Sequence, residues 1–461
     1  MFTGIRSKIN HLKARLPGQI SLRSKHGPLP TPGLYHYDRQ ANGERSRIHL
    51  RVDPAQGAGE APGLLLVNAN RVMHLNPSAT LMAYLLLEKT SQAQAIRLLT
   101  QRYDISAAQA QEDYTQFEAQ LDELIRPEGA CPIHELDVEV TAPFSARPSA
   151  PYRMDLALTY RCNNDCAHCY NARSRQYPEI STEQWKLILD RLWEQGIPHV
   201  VFTGGEPTLR NDLTDLIAHA ESNGQITGLN TNARRLSDPR FVDALVEAGL
   251  DHVQITVESH DPQIHDQMVR LRGAWKQTVA GLRNALDTPL YVMTNTTMLR
   301  ENSPTLPETL HFLASLGVPT IGLNALIHAG HGNTVGTGLD EHELMPLLEM
   351  ARQHTEASGQ RLIWYTPTQY CNFDPMQLEL GVKGCTAALY NMCVEPDGNV
   401  IPCQSYYQPV GNLLATPWES IWKHPLCVRL RERAYVPEKC DTCALLAECG
   451  GGCPLALPGG A

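Results

Sequence analysis

The chain has 461 residues, 42% of them hydrophobic, a formal net charge of -10 and 13 cysteines. That length exceeds what one hydrophobic core usually serves, so two or three domains are expected. No apolar run approaches the roughly 18 to 20 residues of a membrane span, and the basic opening MFTGIRSKINHLKARLPG lacks the apolar centre of a secretory signal, so a cytoplasmic protein working away from membranes is expected.

Residues 1–45, with GPLPTPG among them, read as a basic flexible tail. Residues 46–126 read as a small winged-helix-like module. Its strands are expected at Ile48–Val52, Leu64–Val67 and Val72–Leu75, and its helices at Pro77–Leu87, Ser91–Tyr103 and Ser106–Leu124. A Pro- and polar-rich linker covers 127–151. From 152 to about 358, short apolar runs alternate with amphipathic stretches. Strands are expected at Asp155–Thr159, 199–204, 226–231, 252–257, 290–295 and 320–327. The helix at 182–195 puts Trp185, Ile188, Leu189, Leu192 and Trp193 on one face, with Ser181 and Gln184 spaced as a capping box. Six such units suit an open partial (β/α)6 barrel, with chemistry at the C-terminal ends of its strands. Residues 359–461 are set apart by their cysteines.

The cysteines fall into an isolated Cys131, a trio at Cys162, Cys166 and Cys169, and nine from Cys371 to Cys453. Clustering at short spacing in a chain without an export signal favours metal over disulfides. The trio stands in LTYRCNNDCAHCYNA, directly after the first barrel strand. Three thiolates in eight residues can wrap a four-iron cubane while leaving one iron open. Structural zinc, with His168 as fourth ligand, is the alternative. The next strand ends in FTGGEPTLR, where Gly204 and Gly205 permit a close backbone approach to a ligand and Glu206 and Pro207 fix the turn.

The C-x3-C-x2-C loop after strand one and the GGEP turn after strand two resemble the radical S-adenosylmethionine (SAM) superfamily. The resemblance implies a four-iron four-sulfur cluster on Cys162, Cys166 and Cys169. SAM would be chelated at the open iron, with Gly204, Gly205, Glu206 and Pro207 beside its amino group. ITVESHDPQIHDQMVR (255–270) is similar to the family's fourth-strand segment, which implies contacts from Thr256 and Glu258 to the SAM ribose and from Arg270 to its carboxylate; the family's usual Asp-Gly pair is here Glu258 and Ser259. Asn230 and Asn232 could also line the barrel.

In the C-terminal segment, Cys385, Gly398 and Cys403 form C-x12-G-x4-C, and Cys440, Cys443, Cys449 and Cys453 form C-x2-C-x5-C-x3-C. This resembles the SPASM domain, which implies one or two auxiliary four-iron clusters; two zinc ribbons are the alternative. The expected pool is Cys371, Cys385, Cys393 and Cys403 for the first cluster and Cys440, Cys443 and Cys449 for the second, with Cys453 serving either. The pattern's seventh cysteine does not follow Cys453 here, so Cys371, Cys393 or Cys427 could fill a vacancy. Gln404 stands where sulfatase-maturing relatives carry an Asp, which lowers that reading.

The N-terminal module resembles PqqD-like domains (RiPP recognition elements), which bind the leader of a ribosomally made precursor peptide by adding it as a strand to a sheet edge. The edge is expected at Val72–Leu75, beside the helix at 106–124. The expected protein is therefore a radical SAM/SPASM peptide maturase that generates a 5′-deoxyadenosyl radical, receives its electron from a flavodoxin- or ferredoxin-type partner, and binds neither nucleic acid nor membrane. A SPASM enzyme acting on a small molecule such as a tetrapyrrole is the second reading. An iron–sulfur DNA-binding regulator is a third, opposed by the acidic residues Glu112, Asp113, Glu118, Asp122 and Glu123 on the helix that would meet phosphates.

Overall fold

The computed structural model describes residues 29–41, 44–55, 61–68, 71–125, 148–171 and 173–457. Cys131 and most of the expected linker lie outside them. The chain divides into two compact units, 1–141 and 142–461, and no described helix is long and apolar enough to cross a membrane.

The first unit carries one more strand than expected. Four antiparallel strands, β1 (Gly33–Ala41), β2 (Glu44–Val52), β3 (Gly63–Val67) and β4 (Arg71–Leu75), lie in sequence order. Of the expected tail of residues 1–45, residues 1–28 lie outside the described ones; within the rest, GLYHYDRQA is a strand, paired from Gly33 with Val52 to Ala41 with Glu44. Its few apolar residues hide the alternation that marks strands elsewhere. Helices α1 (Pro77–Leu87), α2 (Gln92–Arg102) and α3 (Ala107–Ile125) follow. The Leu-Asn-Pro-Ser start of α1 is a cap, in which the Asn76 side chain accepts from Ala79 N and Pro77 sets the first turn. Ile48, Leu50 and Val52, alternating along β2, join Leu65, Tyr84, Leu99, Tyr114 and Leu124 in one core. β4 is a sheet edge, with Val72 42% exposed, and the Arg71 guanidinium donates to the Leu124 carbonyl of α3 at 2.5 Å.

The second unit is built on a ten-stranded sheet. Parallel strands β5 (Arg153–Thr159), β6 (His199–Gly204), β7 (Ile226–Thr231), β8 (His252–Thr256), β9 (Tyr291–Thr297) and β10 (Thr320–Asn324) are the six expected. The sheet continues beyond both edges of that set. β11 (Arg361–Trp364) runs parallel to β10, and β12 (Asn391–Val394) runs parallel to β5 and leads antiparallel into β13 (Asn399–Ile401) and β14 (Gly411–Asn412). The barrel strands and the C-terminal cysteine segment therefore share one hydrogen-bonded sheet.

Helices α4 (Thr182–Glu194), α5 (Leu213–Asn223), α6 (Pro239–Glu247), α7 (Pro262–Met268), α8 (Ala274–Leu286), α9 (Leu306–Ser315) and α10 (Glu341–Ser358) follow the strands in turn. The Ser181–Gln184 capping box on α4 is present, and Trp185, Ile188, Leu189 and Leu192 are buried, whereas Trp193 is half-buried. The outward residues Met154, Leu156 and Leu158 of β5 pack with this layer, which turns Asp155, Ala157 and Thr159 to the opposite, inner face. Three short helices, α11 (Trp418–Trp422), α12 (Pro425–Arg431) and α13 (Leu446–Cys449), complete the unit.

Candidate active site

The cysteine trio follows β5 at the C-terminal end of the strands, where a parallel sheet leaves its loops free to build a site. One side of the loop is laid on the GGEP turn. Gly205 N donates to Thr159 O at 2.7 Å and Glu206 N to Arg161 O at 2.8 Å. A Cβ on Gly204, whose φ is +131°, would stand 2.2 Å from Thr159 O, and one on Gly205 would stand 2.3 Å from Arg161 O. The two glycines were expected to admit a ligand. What approaches them is the backbone entering the cysteine loop, so their lack of side chains seats that loop.

The opposite side is held as firmly. Asp165 N and Ala167 N donate to Val269 O and Met268 O at 3.1 and 2.9 Å, and His331 N donates to Cys169 O at 2.9 Å. The Arg175 guanidinium donates to the carbonyls of Cys162 and Asn164, both at 2.6 Å, and to the Asp165 carboxylate at 2.9 Å. Arg234 donates to Asn163 O and to Asn164 Oδ1, and Asn232 Nδ2 to Asn163 Oδ1 at 2.7 Å. These donors bind the loop's polar backbone and its Asn side chains.

All three thiols are half-buried and free of disulfides. Burial pushes Cys162 up to about 11 and also raises Cys166 and Cys169; the neighbouring thiols add to the shift at Cys162 and Cys166. Thiols so placed ionise only with positive charge beside them, which an iron cluster supplies. Among the described residues no three His, Cys, Asp or Glu side chains converge as ligands of one metal ion would; a cubane asks for less, because each thiolate binds a separate iron. The trio thus fits a cluster. His168 is bonded through one ring nitrogen, its Nε2 lying 2.9 Å from Glu258 Oε1. Burial works against the charged imidazole, but Glu258 outweighs it and His168 is raised.

The other expected SAM contacts divide. Glu206 is buried, and its carboxylate accepts from Thr208 N, Thr208 Oγ1, Thr231 Oγ1 and Asn232 N at 2.6 to 3.1 Å. Glu258 is buried as well, with Oε1 on His168 and Oε2 accepting from Thr297 N at 3.0 Å. Both carboxylates are bonded within the protein, and Glu258 braces the cysteine loop through His168. Pro207 is buried in the turn. Thr256 is half-buried at the end of β8, paired with Asn295. Arg270 is exposed with φ +52° and directly follows the two carbonyls that bind the loop. Asn230 is half-buried on β7.

The C-terminal cysteines form two neighbourhoods. Burial first, then the nearby Cys453 and Cys403 thiols, raise Cys385, and Cys403 is pushed up to about 12 by burial with Cys453 beside it. Cys440 has Cys449, Cys443 and Cys371 as its thiol neighbours. The segment of Cys371, which was expected in a pool with Cys385, is bonded to Cys449, where Tyr370 N donates to Cys449 Sγ at 3.4 Å. Cys393 is buried on β12 opposite Asp155, close to Cys403. Cys427 is buried in the apolar core.

Sequence reasoning did not find the residues that join the trio to this segment. Tyr170, next to Cys169, donates its hydroxyl to Gln404 Oε1 at 2.8 Å, next to Cys403. The Tyr407 hydroxyl donates to Tyr170 O. Arg173 lies 4.4 Å from the Tyr407 ring centroid and donates to Glu395 at 2.7 Å, where the Tyr160 hydroxyl also donates at 2.9 Å. No spacing links these positions; the pairing of β12 with β5 brings them together.

The sequence pattern of the Radical SAM superfamily matches residues 156–313, that of the SPASM iron–sulfur cluster-binding domain residues 385–444, and that of coenzyme PQQ synthesis protein D (PqqD) residues 63–124. A PqqA peptide cyclase of Rhodopseudomonas palustris is 30% identical over 320 residues, covering 66% of this chain and 82% of its own. One from Xanthomonas campestris is 29% identical over 327 residues, covering 68% and 85%. Among solved structures, Streptococcus suis SuiB bound to precursor peptide SuiA superposes with a TM-score of 0.62 at 16% identity, over 85% of this chain and 92% of SuiB. Native anSMEcpe with bound AdoMet gives 0.54 at 16%, over 66% and 90%. With its cysteine loop seated between the GGEP turn and the Met268–Val269 carbonyls, the chain belongs to the radical SAM superfamily, as a SPASM-bearing member with a PqqD domain.

Proposed function

We propose that this radical SAM enzyme modifies a ribosomally synthesised precursor peptide, whose leader docks on the first unit. The carrying observation is the β4 edge, unpaired by any other described strand, with Val72 exposed and Arg71 tied to the end of α3: a strand added there gains backbone hydrogen bonds and an apolar groove beside the helix. The cyclases among the relatives act on a peptide, and SuiB was solved with one. The acidic α3, with Glu112, Asp113 and Glu118, suits a peptide better than nucleic acid.

Cys162, Cys166 and Cys169 would hold the catalytic cluster, and Cys385, Cys403 and Cys453 the first auxiliary one. A bound cluster with SAM supplies a 5′-deoxyadenosyl radical once an electron arrives, here from a flavodoxin- or ferredoxin-type protein. The chain's own part is placement. Arg175, Arg234 and His331 fix the loop, Glu258 fixes His168, and Arg270 meets the SAM carboxylate. Work in the cytoplasm follows from oxygen-sensitive clusters that need such a reductant.

The test uses short peptides encoded beside the gene. Labelled precursor should bind the full chain, and Val72→Pro, which removes an edge N–H, should weaken binding at least about tenfold, the loss of one to two backbone hydrogen bonds, while SAM cleavage without peptide persists. Equal modification of the true substrate by wild type and Val72→Pro would return the small-molecule reading.

A further inference from the structure

We propose that Cys371 is the fourth thiolate of the second auxiliary cluster, alongside Cys440, Cys443 and Cys449. The inference rests on the reading that the C-terminal segment holds iron–sulfur clusters, and it assigns to the second site a cysteine that was expected in the pool of the first.

The turn carrying Cys371 is built for that position. Asn372 N and Phe373 N both donate back to Gln369 O, at 2.9 and 3.0 Å, which leaves Cys371 near the tip of a tight turn. Glu341, at the start of α10, clamps the turn at two points: Gln369 N donates to Oε1 at 3.0 Å and Asn372 Nδ2 to Oε2 at 2.6 Å. Tyr370 points the other way and is buried, its hydroxyl accepting from Lys383 N at 2.9 Å. Cys371 itself is exposed.

The same turn is fastened to the C-terminal run. Tyr370 N donates to Cys449 Sγ at 3.4 Å, and the Cys449 thiol reaches Thr368 O at 3.6 Å. Gly452 packs so closely that a Cβ there would stand 2.9 Å from Gln369 Cγ and 3.4 Å from Gln369 N. Cys440 and Cys443 are joined by a turn of their own, Cys443 N donating to Cys440 O at 3.0 Å. The Cys371 turn and the end of α13 are thus bonded to each other, and Cys440 on the third turn has Cys449, Cys443 and Cys371 as its thiol neighbours. A backbone N–H aimed at a sulfur is the outer-shell bond that supports a thiolate ligand, and Tyr370 N gives Cys449 one. Cys453 is left to Cys385 and Cys403, whose thiols it neighbours.

Ligation and a free thiol differ sharply in reactivity at an exposed position. Anaerobically purified holoenzyme should carry about twelve irons, four per cluster. Brief iodoacetamide treatment followed by peptide mapping should leave Cys371 as unlabelled as Cys443, and both should label after a chelator strips the iron. Labelling of Cys371 at the same rate before and after stripping, with about twelve irons present, would overturn the assignment while leaving the clusters in place. Labelling of Cys440, Cys443 and Cys449 in protein holding about eight irons or fewer would instead overturn the underlying reading of a second auxiliary site. As a second measurement, Cys371→Ser should alter the spectroscopic signature of one auxiliary cluster only; an unchanged signature counts against the assignment.

Discussion

The loop from Cys162 to Cys169 and the segment from Cys371 to Cys453 both gather thiols, but by opposite means. In the loop the sulfurs are close in sequence, and the protein's effort goes into holding the surrounding backbone: Gly205, Val269, His331, Arg175 and Arg234 each bond to it or to its entrance. In the C-terminal segment the backbone pieces are short turns that hold themselves, and packing must bring together cysteines separated by up to 78 positions, as from Cys371 to Cys449. A ligand set written in local spacing depends on the shape of one loop. A ligand set assembled from distant turns depends on the contacts between them.

That contrast is broken most severely at Gly205. A methyl group there meets the Arg161 carbonyl at 2.3 Å, and backbone cannot swing aside as a side chain can. Gly205→Ala should displace the loop and lower SAM cleavage roughly a hundredfold, the usual penalty for a misplacement of about 1 Å, while the auxiliary clusters keep their spectra. Loss of all clusters together would show that the two regions are not independent. A milder break is Arg175→Ala, which removes three hydrogen bonds from the loop. SAM cleavage should fall roughly tenfold by the same argument, and Arg175→Lys should recover only part of it, because one ammonium cannot reproduce the fork. Full recovery by lysine would reduce the role of Arg175 to charge alone.

The two auxiliary neighbourhoods can be separated by exposure. Cys371 and Cys443 are exposed, whereas Cys385 and Cys403 are half-buried, so a chelator should remove the second set's iron before the first's, read as two phases of iron release with distinct spectra. The smallest effect is expected at Cys427, buried in the apolar core. Cys427→Ala should leave iron content unchanged and cost about 1 to 2 kcal/mol of stability, as a small cavity does; loss of iron would make it a ligand.

Much of this was legible in the sequence where local rules govern. The continuous apolar runs of β6 and β7, the capping box on α4 and the Asn76 cap on α1 all follow from spacing within a few residues. The trio and the GGEP turn were legible for the same reason. Strand β1 was missed because GLYHYDRQA is too polar to alternate visibly. The bonds that hold the Cys371 turn were not legible, because Glu341 and Cys449 lie far away in sequence. The bonds of Glu258 to His168 and Thr297 N were not legible either, because they join residues far apart in sequence.

The central claim is that the trio, rather than the C-terminal thiols, carries the radical chemistry. Replacing Cys162, Cys166 and Cys169 together by Ala and reducing the anaerobic protein with SAM measures it directly. The account predicts about four fewer irons per chain, auxiliary spectra intact, and no 5′-deoxyadenosine. Formation of 5′-deoxyadenosine at the wild-type rate by the triple variant would contradict it.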